Sequence, residues 1–246
     1  VSVTDTIDRD SATPIYVQLT ALIKEKIRSG EWKPEQKILS ENEFNSLFGI
    51  SRMTARNVIA RLVDEGLLFR VQGKGTFVSQ PKIQTRSPGY LGIREQLEQQ
   101  GFPTKTEVLS AEVVAAGDHV AEQLGIDPLD QVSAIQRLRS VEDQPISLHF
   151  SFVPVALAPD LTDSDLAGQQ MCVILAEQYG LNTAHVIETL ETTTTTKTYS
   201  KWLEERVGAP LLRLEQTISS ASGEPFEFTR IMFRGDRIKL EFHYDS

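Results

Sequence analysis

The chain has a single cysteine, Cys172, among its 246 residues. An internal disulfide is therefore impossible, and such a chain fits a reducing cytoplasm. Long apolar runs are missing: none approaches the ~18 residues a spanning helix needs, so no membrane partner is expected. The opening VSVTDTIDRD is polar and acidic, without the apolar core of a signal peptide. The four histidines, His119, His149, His185 and His243, stand far apart without metal-ligand spacing. No metal and no cofactor is expected. Net positive charge is missing too. The formal charge is -9 and the pI about 5.1, which argues against a general nucleic-acid binder.

What is present describes a globular protein. Hydrophobic residues make up 40% and mean hydropathy is -0.22, in a length that suits one large or two ordinary domains. The charge is unevenly spread. Residues 1–86 hold 13 Lys+Arg against 10 Asp+Glu, whereas residues 87–246 hold 12 against 24. That pattern suits a small, locally basic reading head on an acidic body.

The reading head centres on Ile50 to Val78. Ser51 is a good N-cap, since its hydroxyl can accept from a free N–H of the first turn. Val58, Ile59, Leu62 and Val63 recur at helical spacing and Gly66 supplies the stop. Arg52, Thr54 and Arg56 fall off that apolar stripe. Leu67–Val71 and Thr76–Val78 are short β-rich runs joined by Gln72-Gly73-Lys74-Gly75, whose glycines suit a hairpin. A helix with a basic front followed by a basic-tipped hairpin is a winged helix-turn-helix, with the helix in the major groove and the wing on the backbone or minor groove. The plainer reading makes Arg52, Arg56, Arg61 and Lys74 a solvated helix face and loop tip. The joint occurrence of a preceding short helix, the Ser-Arg start and the Gly-Lys-Gly tip favours the reading head.

Upstream, residues 1–13 read as a flexible arm. Thr13 can cap a helix opened by Pro14 and carrying Ile15, Leu19, Leu22, Ile23 and Ile27, with Gly30 as its stop. Trp32 packs under the domain. Ser40-Glu41-Asn42-Glu43 has capping-box spacing and starts a second helix, in which Phe44, Leu47 and Phe48 face the core and Gly49 ends it. Only Ile50 and Ser51 then precede the third helix. The domain spans 14–79. Residues 80–90, rich in Pro, Ser and Gln, read as a linker.

Residues 14–78 resemble the DNA-binding domain of the GntR family of bacterial transcription regulators. The resemblance rests on Pro14-Ile15-Tyr16-Val17-Gln18-Leu19, Ser29-Gly30-Glu31-Trp32-Lys33-Pro34, Ser40-Glu41, Phe48-Gly49-Ile50-Ser51-Arg52-Met53-Thr54-Ala55-Arg56, Glu65-Gly66-Leu67-Leu68 and Gln72-Gly73-Lys74-Gly75-Thr76-Phe77-Val78. It implies a homodimer on a palindromic operator, contacted through Ser40, Asn42, Ser51, Arg52, Thr54, Arg56, Lys74, Gly75 and Thr76. Asn42 stands where the family usually has Arg, which bears on target sequence and salt dependence.

The remainder, 91–246, opens with a helix over Leu91–Gln100 and then contains a repeat. One copy runs from Glu122 through Gly125 and Pro128-Leu129 into an extended segment to Arg139, a turn at Glu142-Asp143-Gln144 and a second segment, Pro145–Val153. The other runs from Glu205 through Gly208 and Pro210-Leu211 into a strand over 212–219, a turn at Ser222-Gly223-Glu224 and a strand over Pro225–Phe233. Two such units build one antiparallel sheet with packed helices, an α+β fold. Between them lie a helix over Met171–Tyr179 and an extended run over Val186–Thr195. The threonines ending that run cap a helix over Tyr199–Val207. Cys172, inside an apolar run, reads as a core residue.

Arg137 and Arg139 project from one strand face. With Glu142-Asp143-Gln144 as a three-residue loop, Arg139 lies opposite Ser147 and Arg137 opposite His149. Paired guanidiniums match phosphate or carboxylate oxygens. The plainer reading is an exposed face paired to acidic neighbours.

This half resembles the UTRA effector-binding domain of the HutC-type branch, with a chorismate-lyase-like fold. The resemblance rests on Gln136-Arg137-Leu138-Arg139, Gln144-Pro145-Ile146-Ser147, Phe152-Val153-Pro154, Glu224-Pro225-Phe226-Glu227-Phe228 and Phe233-Arg234-Gly235-Asp236-Arg237. It implies a small-molecule effector held by the arginine pair, with Glu227 on sugar hydroxyls. Ile93-Arg94 stands where relatives have Phe with Ser or Thr, His149 where many have Glu, and Phe233 where Tyr is common. Arg94 adds a third positive charge near the pair. The expected effector is anionic; an amino sugar phosphate in particular gains no support. The whole reads as a ligand-responsive repressor. The alternatives are a lyase-like enzyme with His149 as its general acid or base, and a ligand-free DNA-binding structural protein with a filled apolar interior.

Overall fold

The computed structural model describes residues 7–80, 82–86 and 93–241. The chain divides into two compact units, Val1–Pro81 and Lys82–Ser246.

The first unit holds α1 (Ile15–Arg28), α2 (Glu41–Phe48), α3 (Arg52–Asp64) and a hairpin of β1 (Leu68–Val71) and β2 (Gly75–Val78). Leu19, Leu22 and Ile23 of α1 pack with Phe44 of α2 and with Val58, Ile59 and Leu62 of α3. Each such side chain contributes about 1.5–3 kcal/mol on burial, so this cluster holds the three helices together. Trp32 stands edge-on to Phe44 with ring centroids 6.3 Å apart, beneath the domain as expected. Ser40 forms the full capping box with Glu43. Two expectations fail. Pro14 is itself the residue before α1 and no side chain caps that helix; the Thr13 carbonyl instead accepts from the Gln18 side chain. Leu47 is 66% exposed, because the stacked Phe44 and Phe48 rings already occupy the core side of a two-turn helix. Gly49 closes α2 at φ 63, a left-handed backbone that glycine adopts without strain. Residues 35–38 add to the free edge of β2, with the Ile38 N–H on the Thr76 carbonyl.

Of the expected arm, residues 1–6 lie outside the described residues. The rest is tied down: Ile7 packs on the core, and Asp8 exchanges two hydrogen bonds with the Gln18 side chain.

The second unit is a six-stranded antiparallel sheet in the order β4-β5-β6-β9-β8-β7. Its strands are β4 (Thr104–Ala115), β5 (Gln131–Val141), β6 (Gln144–Pro154), β7 (His185–Thr194), β8 (Pro210–Ser219) and β9 (Pro225–Arg234). The repeat is longer than the sequence suggested. Each copy is a strand, a helix and a hairpin: β4, α5 (Gly117–Leu124), β5, β6, then β7, α7 (Lys197–Leu203), β8, β9. The two hairpins meet through β6 and β9, which leaves β4 and β7 at the edges. Thr196 caps α7 by accepting from the Tyr199 N–H. That helix stops at Leu203, short of the expected Val207, as Glu204 turns left-handed at φ 52.

One sheet face is covered by α5 and α7. The other lies under α4 (Ile93–Gln99), α6 (Met171–Tyr179) and the short turn Leu161–Asp163. Part of the expected linker joins this cover. Residues Ile83–Arg86 form β3, paired in parallel with β10 (Ile238–Glu241). Ile83 and Ile238 are buried against Ile93 and Leu97 of α4. Residues 81 and 87–92 lie outside the described residues, so the start expected for α4 at Leu91 does as well.

The first hairpin reaches the expected register by an unexpected route. Its loop has two residues, with Val141 opposite Gln144. Glu142 and Asp143 both take positive φ, 51° and 60°, as a type I′ turn requires. Ser140 then faces Pro145 while Arg139 faces Ser147, so Ile146 is an extra, bulged residue. Because Glu and Asp are strained at positive φ, replacing Glu142-Asp143 by Asn-Gly is expected to stabilise this unit by about 1 kcal/mol. Thermal unfolding of the double variant checks this.

Candidate nucleic-acid interface and effector site

The basic front of α3 is displayed to solvent. Arg52, Arg56 and Lys74 are exposed, and their side chains make no hydrogen bond or ion pair among the described residues. Arg61 differs: its guanidinium donates to Glu65 at 3.0 Å. The Gln72–Gly75 turn, with Gly73 at φ 74 and Gly75 at φ 130, presents Lys74 at the wing tip. Of the remaining candidates, the hydroxyls of Ser40 and Ser51 are used internally as caps. Ser51 also shares a hydrogen bond with Thr54, at 2.9 Å. Asn42 is exposed on the first turn of α2, and Thr76 is half-buried on β2. A set of free cations at a helix start and a hairpin tip can meet phosphates and base edges.

The sensor half gathers its candidates on one sheet face. Arg137 faces His149 and Arg139 faces Ser147 across the hairpin. Next to them, β9 brings Thr229 opposite Ser151, with Glu227 two residues further along the same face. Arg137 is 4% exposed, Arg139 5%, His149 5% and Glu227 4%. The exposed, acid-paired strand face weighed from the sequence is therefore not what forms. Nε and Nη1 of Arg137 and Nε of Arg139 meet no hydrogen-bond acceptor among the described residues. Arg137 has only a long contact, 3.5 Å, to the Ser151 hydroxyl. Buried guanidinium donors without acceptors are costly, and an anion would satisfy them.

The electrostatics follow from that burial. Desolvation and then the charge of Arg137 push Arg139 down to about 9, so it is still a cation at neutral pH. Desolvation, followed by the two arginines, holds His149 well below its usual value and keeps the imidazole neutral. Its Nε2 lies 2.9 Å from the Ser147 hydroxyl. Desolvation raises the Glu227 carboxyl, and the charge of Arg137 and the hydroxyls of Ser151 and Thr229 oppose that shift. Arg94 brings a third positive charge near the pair, as expected, but one already engaged by its own neighbours. It sits close enough to weigh on Arg139, but its donors go to Glu98 at 2.8 Å and to the carbonyls of Ala167 and Gly168. It ties α4 to the loop before α6 and is not a free third cation.

Sequence reasoning missed Ser151 and Thr229, although continuing the alternation of Ser147 and His149, and that of Glu227, reaches both. It also missed the link between Gln170, before α6, and Glu95 of α4, at 3.5 Å, which nothing local in the sequence marks. Cys172, on the first turn of α6, is half-buried rather than a core residue. Burial and then Glu227 raise its thiol above the usual value, so it is not a poised thiolate.

Comparison with known proteins fits both halves. The family model described as bacterial regulatory proteins, gntR family, matches residues 15–78, and the UTRA domain model matches residues 99–239. A relative from Bacillus subtilis strain 168, the HTH-type transcriptional repressor NagR, is 31% identical over 97% of this chain and 98% of its own length. The chain belongs to the GntR family. It is a DNA-binding transcription regulator whose second domain is the UTRA effector domain, as its HutC-like relatives are. The histidine utilization repressor of Pseudomonas aeruginosa is 28% identical over 95% of this chain and 92% of its own length. Among solved structures, PhnF from Mycobacterium smegmatis superposes with a TM-score of 0.66 at 19% identity, covering 92% of this chain and 99% of that one, a likeness of fold. These GntR and UTRA matches remove the lyase alternative. No helix of the described residues is long and apolar enough to cross a membrane.

Proposed function

We propose that this GntR regulator is a cytoplasmic repressor, binds a palindromic operator as a homodimer, and is controlled by a small anionic metabolite. Arg52 and Arg56 reach bases or phosphates from the front of α3, with Thr54 and the N-terminus capped by Ser51 beside them. Asn42 and the helix start at Ser40 add contacts from α2, and Lys74, Gly75 and Thr76 add the wing. The dimer follows from the family and from half-site geometry, since a palindromic operator matches a two-fold protein.

The observation that carries the effector reading is the pair of buried arginines with unmet donors. An anion of phosphate or carboxylate type completes them. Ser147 and neutral His149 hydrogen-bond beside it, and Glu227 takes a hydroxyl of the ligand body. α4 supplies a route outward. It borders the site through Glu98 and Arg94, and its Gln96 accepts from the buried Thr85 hydroxyl of β3. A ligand that moves α4 therefore moves the strand next to the chain segment that enters the reading head. A thermal-shift screen with phosphorylated sugars, carboxylates and amino acids tests this. At least one phosphorylated or carboxylated compound raises the unfolding midpoint; a screen in which only neutral compounds do so contradicts an anion site.

The site also predicts a pH dependence. Glu227 has a raised carboxyl value in the free protein, and an anion bound nearby raises it further. Binding then takes up a proton, so affinity rises as pH falls through that value. Sulfate, whose charge is constant here, is expected to bind more tightly at the lower of two pH values that bracket the raised Glu227 carboxyl. His149 and the two arginines face the same space. The Glu227→Gln variant separates its share and is expected to flatten the profile. Calorimetric titration at the two pH values reads the difference.

A further inference from the structure

The segment before α1 does more than lead into it. Asp8 is fixed by both ends of the Gln18 amide, and Ile7 packs on the core of the unit. Between these anchors and α1, Arg9 reaches across the unit. Its Nη2 donates to the carbonyl of Gly49, the residue that ends α2. Gly49 is two residues before the cap of α3, so the guanidinium lies at the turn of the helix-turn-helix. A Cβ on Gly49 would sit 2.4 Å from that Nη2, which shows how closely the arginine covers the turn. Arg9 is itself exposed and has no carboxylate partner among the described residues. A guanidinium has five donors, and this one contact leaves the others free for a second acceptor.

A second observation places the same end of the chain beside the reading surface. A groove of about 330 Å³ runs between α1 and α3, lined by Tyr16 and Thr20 on one side and Thr54, Asn57, Val58 and Arg61 on the other. The first turn of α1 therefore borders Thr54, in the basic front half of α3. The arm and that first turn flank the face offered to DNA at two points, the helix-turn-helix turn and the Thr54 edge. No acidic side chain lines the groove.

We propose that the arm is a further DNA-contacting element, beside α2, α3 and the wing, and that Arg9 holds a backbone phosphate next to the start of α3. It rests on the assignment of α3 as the reading helix. The Gly49 carbonyl orients the guanidinium so that binding orders little further chain, and the arginine carries no sequence information of its own. It positions the helix and leaves base choice to Arg52 and Arg56. The competing role is purely internal: a cation at the C-terminal end of α2 stabilises that helix whether or not DNA is bound.

The two roles separate in the salt dependence of binding. Each phosphate neutralised contributes about -0.9 to the slope of log K against log salt. The full-length protein, Arg9→Gln, Arg9→Lys and Arg52→Ala are titrated against operator and unrelated duplex at several salt concentrations, with unfolding midpoints measured alongside. Arg9→Gln is expected to weaken both duplexes by the same factor and to flatten the slope by about 1.8, since each protomer of the proposed dimer loses one phosphate, with the midpoint little changed. Arg9→Lys keeps the slope. The proposal is overturned if Arg9→Gln lowers the midpoint but leaves the slope intact, or weakens only the operator. If Arg52→Ala binds operator normally as well, the α3 assignment fails with it. If Arg52→Ala alone loses the operator, only the role of Arg9 is lost.

Discussion

Arg137→Met or Arg139→Met is expected to make the free protein more stable and deaf to its effector. Both guanidiniums are buried, and their free donors have no acceptor among the described residues. Burial holds Arg139 at about 9 rather than its usual value. A base whose folded value is depressed weakens the fold wherever both states are protonated, here below about 9, and that penalty fades only above it. At neutral pH the cost is therefore fully present. Replacing buried ionic groups by apolar side chains of similar volume is often neutral or stabilises by about 1–4 kcal/mol where no bonded partner is left behind, and neither arginine hydrogen-bonds a carboxylate among the described residues. The same replacement removes the partner of the anion. A ligand at a hundred times its dissociation constant stabilises the native state by about 2.7 kcal/mol. For a domain of this size, that is a rise of roughly 5–10 °C in the unfolding midpoint. The wild-type protein shows that rise and the variants lose it, while starting from a higher midpoint. Scanning calorimetry with and without ligand reads both effects. Variants that unfold earlier and still respond would place the anion elsewhere.

Arg52→Ala is expected to abolish specific operator binding and to leave the fold intact. The side chain is exposed and makes no hydrogen bond or ion pair among the described residues, so its loss should change stability by no more than ~0.5 kcal/mol. A bidentate arginine–guanine contact discriminates by about 1–3 kcal/mol. In a dimer both half-sites lose it, so the penalty doubles to about 2–6 kcal/mol, enough to bring specific binding near the non-specific level. Anisotropy titration against operator and unrelated duplex measures the ratio. A ratio unchanged from wild type would remove Arg52 from the reading role.

How much of this was legible in the sequence depends on how local each feature is. The reading head is a chain of short-range signals. The Ser40–Glu43 box, the Ser51 cap, the Gly49 stop and the glycines of the wing each act within a few residues, and each appears where the pattern put it. The facing of Arg137 with His149 was legible because a hairpin carries register from its turn, although the bulge at Ile146 and a shorter loop produced that register. The burial of the pair was not legible. It comes from α4 and α6, which reach the site through tertiary packing and leave no mark near residues 137–139. β4 escaped notice for a related reason. It is an edge strand with a bulge at Leu109, so its alternation breaks midway and its last residues are exposed. β3 was read as linker because its partner, β10, lies at the far end of the described chain.

We propose that an anion seated on Arg137 and Arg139 sets the operator affinity of α3 and the wing. Operator affinity of the wild-type protein and of an Arg137→Met/Arg139→Met double variant, measured with and without a panel of phosphorylated sugars and carboxylates, tests it most directly. At least one anion is expected to change wild-type affinity about tenfold or more, a coupling of about 1.4 kcal/mol, and to leave the double variant unmoved. Equal wild-type affinities across the panel, or an equal response in the double variant, would contradict it.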